Sequence, residues 1–336
     1  GYEPAEQAQT DWHSVSYVKI VPGKIQNKTE INPKFQDVFG DTLLELAKSD
    51  ERVIGVTPAM PSGCSMKTLM EAMPERVFDV GIAEQHAVTF SAGLALDGKR
   101  VFCNIYSSFA QRAYDQIIHD VALQNIPVIF CLDRAGAVGA DGPTHHGMFD
   151  LAYLLPIPNL TILSPLNEQE LQEMMFWAKD YTFGPVVIRY PRGRVPSIKS
   201  TSPFELKAQL LNKGNKLAVI SLGEIGTEVQ QAIQLGSLEN DVTHYDARIA
   251  KPLDNRMLEE VFENYQTVLT VEDGCIAGGF GEHIRAASAK MDYEGKLQTL
   301  GYPDEFVEHG PINELRKQYG LDAESLLMVL KTALKQ

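Results

Sequence analysis

Asp79-Val80-Gly81-Ile82-Ala83-Glu84-Gln85-His86-Ala87 is the stretch whose reading decides the fold. A short apolar strand over 77–80 ends there, Gly81 makes the turn, and a helix opens on an acidic residue. The helix expected over 84–96 carries Ala87, Val88, Phe90, Ala92, Leu94 and Ala95 on most of its faces and no further charge, so it reads as buried. Glu84 is then half inside the protein. An acid in the first helical turn usually does no more than complement the dipole. A half-buried carboxylate that a scaffold has no use for points instead to chemistry.

Working outward, the same alternation of short apolar strands and helices runs on both sides. Strands are expected at 52–56, 77–80, 100–105, 127–132, 160–163 and 185–190, with helices near 65–72, 84–96, 108–123 and 167–179. Asn32-Pro33 marks the start of an earlier helix whose buried stripe is Phe35, Val38, Phe39, Leu43, Leu44 and Leu46. Pro191, Gly193, Pro196 and Pro203, with intervening Ser and Thr, break the pattern. It resumes with strands at 217–222, 242–245, 267–271 and 297–300 and helices near 226–236, 254–264, 279–290, 311–319 and 322–335. The fold class is therefore α/β in two domains, each with a largely parallel sheet. The expected division is an arm or linker over 1–32, a first domain over 33–195, a linker over 196–215 and a smaller domain over 216–336.

At 336 residues the chain is long enough for two cores, and 44% hydrophobic with 22% charged residues places it among globular proteins. No apolar run approaches the roughly 18–20 residues that span a bilayer, so no membrane role is expected. The net charge of −14 repels nucleic acid and anionic lipid. An anionic ligand must then be held by a local cluster of arginines. Four cysteines, Cys64, Cys103, Cys131 and Cys275, have neither zinc nor disulfide-framework spacing and read as buried thiols of a cytoplasmic protein. Gly278-Gly279-Phe280-Gly281, after Val271-Glu272-Asp273, has the wrong glycine order for a dinucleotide turn and reads as a helix-start packing loop.

Four motifs carry a family resemblance. They are Gly81 to Ala87, Tyr106-Ser107-Ser108-Phe109-Ala110-Gln111-Arg112-Ala113-Tyr114-Asp115-Gln116, the pair Asp133-Arg134-Ala135-Gly136 and Gly139-Ala140-Asp141-Gly142-Pro143-Thr144-His145-His146-Gly147, and Tyr190-Pro191-Arg192-Gly193. In order and content they resemble the second half of the 1-deoxy-D-xylulose-5-phosphate synthases, a family of transketolase-like thiamine diphosphate enzymes. The resemblance implies a thiamine-diphosphate-type pyrimidine-binding domain followed by a transketolase C-terminal domain. It also implies condensation of pyruvate with glyceraldehyde 3-phosphate and release of carbon dioxide, feeding isoprenoid, thiamine and pyridoxal synthesis. A homodimer is implied as well. The chain opens on Gly1 inside Gly1-Tyr2-Glu3-Pro4-Ala5-Glu6, a stretch the resemblance places between that enzyme's first and second domains, so a fragment is expected.

Residue by residue, the resemblance assigns Glu84 to the N1′ atom of the cofactor's aminopyrimidine, Phe109 to stacking on that ring, and Tyr106 and Arg112 to the same pocket. Without the resemblance, the aromatics would read as core and Arg112 as an ion-pair partner of Asp115. Arg134 and Arg192 are implied to hold the acceptor's phosphate, which guanidinium groups grip in bidentate fashion; their residue-level alternative is a salt bridge. Asp141 and His145 are implied to face the acceptor's hydroxyl and carbonyl, and His13, in Trp12-His13-Ser14-Val15, to reach the site from the linker. His145-His146 as adjacent loop residues make a poor metal pair. The family binds Mg²⁺ and diphosphate through a Gly-Asp-Gly stretch followed by Asn, which this sequence lacks, so no metal ligand is expected here and the metal half would lie in a preceding domain. Two alternatives stay open: the β-type subunit of a split transketolase or 2-oxoacid dehydrogenase, and a non-catalytic partner module.

Overall fold

The computed structural model describes residues 1–7, 32–197 and 202–335, and its chain forms two units, 1–32 and 33–336. Within the first, Glu3–Gln7 is a short helix. His13 lies outside the described residues.

Among its described residues the larger unit is built on twelve strands: β1 Val53–Thr57, β2 Val77–Asp79, β3 Arg100–Tyr106, β4 Ile129–Ala135, β5 Thr161–Leu163, β6 Val186–Pro191, β7 Gln209–Asn212, β8 Leu217–Leu222, β9 Val242–Asp246, β10 Ile249–Lys251, β11 Thr267–Cys275 and β12 Lys296–Tyr302. Seven make one sheet, in the order β10-β5-β6-β4-β3-β1-β2, and five make the other, β12-β11-β8-β9-β7. Every pairing is parallel except β10 with β5 and β7 with β9. β1, β5 and β8 are buried at every position, as continuous apolar runs between helical layers require.

Several details depart from the sequence reading. The first helix begins at Phe35 rather than at Asn32-Pro33, because Asp37 reaches back to the backbone of Lys34 and closes the first turn there. Leu44 of its expected stripe is only partly buried. The helix expected over 108–123 is a succession of short turns: Ser107–Ala110, a 3₁₀ turn at Gln111–Ala113, Tyr114–Gln116 and a π turn at Ile117–Ala122. The stretch read as a linker contains β7, which Gln209 and Leu210 join to β9.

The second domain also reaches into the first. β10 closes the edge of the seven-stranded sheet by pairing with β5. Beside it, Arg248 and Glu170 form an ion pair at 2.8 Å whose side chains are both fully buried. One apolar cluster runs from Ile54 and Val101 in the first domain to Ile220, Leu258 and Phe280 in the second. The two sheets thus share a core.

Candidate functional site

In a parallel sheet all strands deliver their C-terminal ends to one edge, where ligands bind in α/β proteins. Here that edge receives the turn after β2 with Glu84, Tyr106 at the end of β3, Asp133 and Arg134 at the end of β4, and Arg192 just past β6. Asp79 fixes the turn, its carboxylate accepting from the amides of Ala59 at 2.8 Å and Gly81 at 3.0 Å.

Glu84 is 3% exposed at the first position of the helix Glu84–Leu96. Its Oε1 accepts from Arg112 Nη1 at 2.6 Å, so Arg112 pairs with Glu84 and not with Asp115, which meets His119. Arg112 is half exposed and also lies over the Phe109 ring, 4.8 Å from its centroid. Phe109 stacks on Tyr106 at 5.6 Å and meets the edge of His145 at 5.3 Å. Tyr106 in turn carries the Arg134 guanidinium on its face at 3.8 Å. The structure therefore joins Glu84, Arg112, Phe109, Tyr106, Arg134 and His145 in one continuous run of contacts. Gly63 is required beside it, because a Cβ there would lie 2.2 Å from the Tyr106 hydroxyl.

Both candidate phosphate arginines have carboxylate partners. Arg134 donates to Asp133 at 2.7 Å and to the Gly63 carbonyl at 3.2 Å. Arg192 donates to Asp141 at 2.7 Å and to the Val138 carbonyl at 3.3 Å. The salt-bridge alternative for each is thus what the folded chain contains.

Asp141 and His145 sit on a loop closed at its base by paired backbone bonds between Gly136 and Gly147. The second domain braces this loop. Asp273 accepts from the Ala137 amide at 2.9 Å, and Gly310 donates to the Gly139 carbonyl at 3.3 Å. Gly136, at φ +72°, comes so close that a Cβ would lie 2.3 Å from the Asp273 carboxylate. His146 is buried, with Nδ1 accepting from Val138 N–H at 3.0 Å and Nε2 facing the Glu308 carbonyl at 3.3 Å, so it pins the loop while His145 faces Phe109. The adjacent histidines have diverging partners. Asp273 and Asp133 contact this candidate site without having been read into it from the sequence, although both lie inside quoted stretches.

Elsewhere the glycine turn at 278–281 is a packing loop: Glu272 accepts from the amides of Phe280 and Gly281, each at 2.8 Å, so the chain's own carboxylate fills that helix start. Burial pushes the Glu272 carboxyl up to about 7 against those two bonds. The four cysteines are free and buried, and desolvation raises the Cys64 and Cys103 thiols to about 12. No described helix is long and apolar enough to cross a membrane.

The family described as "Transketolase, pyrimidine binding domain" matches residues 32–197, and "Transketolase, C-terminal domain" matches 206–326. The chain belongs to the transketolase family. Its curated relatives include 1-deoxy-D-xylulose-5-phosphate synthase of Bacteroides thetaiotaomicron, 52% identical over 100% of this chain and 53% of that protein. The same-named protein of Bacteroides fragilis is 51% identical over 98% of this chain and 52% of its own length. This transketolase-family chain spans about half the length of those relatives. The fold also matches a solved split-gene transketolase, an inactive β4 tetramer, with TM-score 0.79 and 24% identity over 90% of this chain and 98% of that one.

Proposed function

We propose that this chain supplies the aminopyrimidine half of a 1-deoxy-D-xylulose-5-phosphate synthase, which joins pyruvate to glyceraldehyde 3-phosphate with loss of carbon dioxide. The observation that carries the reading is the contact run from Glu84 to Arg134 at the sheet edge, in a chain about half identical to such synthases throughout. Cytoplasmic placement belongs to the same proposal.

The residues fit a flat, weakly basic ring. Phe109 and Tyr106 offer aromatic surface, and Glu84 is a buried carboxylate linked to that surface through Arg112. Thiamine diphosphate, when bound, supplies the carbanion chemistry that carboxylates and imidazoles cannot. Glu84 would hold the proton at the ring's N1′ atom, with Arg112 fixing its orientation. His145 would exchange a proton with the acceptor's carbonyl oxygen, Asp141 would orient its hydroxyl, and Arg134 and Arg192 would take its phosphate. His13 is assigned to the same site on resemblance alone. The diphosphate and Mg²⁺ would be held by the part of the longer relatives that this chain does not match.

A homodimer is part of the proposal. The helix Glu84–Leu96 buries one face only, and around it Ile82, Leu96 and Phe78 are exposed while Phe90 and Leu94 are half covered. That apolar strip suits a second copy.

The test is Glu84→Gln in the complete synthase. Exchange of the thiazolium C2 proton should slow by at least about 10²-fold with the melting temperature nearly unchanged. Exchange at the unmodified rate would overturn the assignment. The split-transketolase reading keeps one point in favour, the 98% coverage of the split-gene chain. It predicts turnover of ketose phosphates with a separate partner chain and none of pyruvate.

A further inference from the structure

Neighbouring residues of a β-strand point to opposite faces, so they do not ordinarily pair with each other. Asp133 and Arg134 are neighbours at the end of β4, yet Arg134 Nη1 donates to Asp133 Oδ2 at 2.7 Å. The exception has a backbone cause. Arg134 adopts φ +62°, in the left-handed region, and the β4–β6 register shifts between Asp133 and Ala135. For a long side chain such a backbone is strained and persists only where the surroundings hold it. Three contacts hold it here: Asp133, the Gly63 carbonyl and the Tyr106 ring.

Asp133 is itself an expensive group. It is 1% exposed, and its Oδ1 has no hydrogen-bond partner among the described residues. A half-satisfied buried carboxylate is a poor structural element, since an apolar residue would pack there without the desolvation cost. Burial pushes its pKa up to about 6, with Arg134 and then Arg192 pulling it down. The other titratable groups that feel it are Cys64, Cys131, Tyr106 and Tyr190, all held in their neutral forms by burial.

We infer that Asp133 is a positioning residue for Arg134: its oxygen fixes the guanidinium at the sheet edge, and its negative charge limits how tightly that guanidinium takes a second anion. The inference rests on the reading of Arg134 as a ligand of the acceptor's phosphate. Loss of the Asp133 proton weakens anion uptake at Arg134; gain of it strengthens uptake while an oxygen remains to orient the guanidinium.

The probe is inorganic sulfate, whose charge is constant over the range in which histidines titrate, about pH 5 to 8. It is titrated into the full chain and followed by the NMR shifts of the Arg134 side-chain N–H and the Gly63 amide. Asp133→Asn keeps an acceptor oxygen without charge, so it should bind sulfate roughly fivefold more tightly than the unmodified chain at the high-pH end and equally at the low-pH end. Histidine titration is common to both proteins and cancels in the comparison. Asp133→Leu removes the orienting oxygen together with the charge and should bind roughly fivefold more weakly than Asp133→Asn at both ends. Equal binding by Asp133→Asn and the unmodified chain at every pH would overturn the inference, as would equal weakening in both variants. Should Asp133→Leu fail to fold, the Asp133→Asn pH profile decides alone. Arg134→Ala separates the two claims: sulfate binding unaffected by it removes the phosphate-ligand reading itself. Binding abolished by Arg134→Ala but indifferent to Asp133→Asn removes only the positioning role.

Discussion

The sheet edge and the seam between the two sheets are both built on arginine–carboxylate pairs, and the pairs differ in what they leave exposed. At the edge, Glu84 is buried but Arg112 is 48% exposed, and Asp141 and Arg192 are 37% and 39% exposed. At the seam, Glu170 and Arg248 are both at 0%, and Asp150 and Arg189 are at 0% and 3%. An exposed pair is worth little and can exchange partners with a ligand, whereas a buried pair is costly to break from either side. Burial of a charge alone therefore does not mark a site. What distinguishes the edge is that Arg112 and Arg192 can still be reached, whereas Arg134 between them is buried at 8% exposure.

The sharpest way to break the comparison is to remove one partner at the seam. Glu170→Leu removes the carboxylate that Arg248 Nε meets at 2.8 Å and should cost about 3–5 kcal/mol in urea unfolding, with the double variant Glu170→Leu/Arg248→Met recovering much of it. A loss below about 1 kcal/mol would place the seam pair in the same class as the edge pairs. The second case is Glu272, buried like Glu84 at a helix start but spent on its own helix's amides. Its carboxyl is raised from 4.5 to about 7, so the folded state binds this proton more tightly than the unfolded state. The resulting stabilisation is complete below about pH 4.5 and is lost as pH rises to about 7. Relative to Glu272→Gln, the unmodified chain should lose about 1–3 kcal/mol of unfolding free energy across that window. A difference that stays constant with pH would show that the carboxyl titrates normally. The smallest effect is expected at the edge. Asp141→Asn should change stability by less than about 1 kcal/mol in the same unfolding assay, while freeing Arg192 of its partner. A loss comparable to that of Glu170→Leu would make the edge pair structural.

The elements were largely legible because they are continuous runs with a period. Strands such as Arg100–Tyr106 and helices such as Glu168–Asp180 declare themselves by apolar pattern and caps, the latter through Asn167 accepting from the Glu170 amide. β7 and β10 were not legible, since Gln209–Asn212 and Ile249–Lys251 are too short and mixed to carry a period. The Glu84–Leu96 helix reads as buried because composition counts apolar residues without saying which neighbour covers them; in the chain, Leu96 at its end stays 71% exposed, and Ile82 just before it 82%. Among the candidate site residues, Glu84, Phe109, Tyr106 and Arg134 stood out by motif, but their partners did not. Arg112 suited Asp115 on helical spacing, and the broken helix turned it to Glu84 instead.

The sequence by itself determined the α/β class, the two runs of alternating strand and helix, and the family to which the motifs point, because periodicity and local motifs are properties of short contiguous stretches. Only the tertiary structure decided which arginine meets which carboxylate, that Asp273 and Glu308 of the second domain brace the loop bearing Asp141 and His145, and that Arg134 turns back onto Asp133. Those contacts join residues up to 162 positions apart, or neighbours whose pairing needs a left-handed backbone. Neither leaves a trace in local pattern, since both depend on where separate strands end in space.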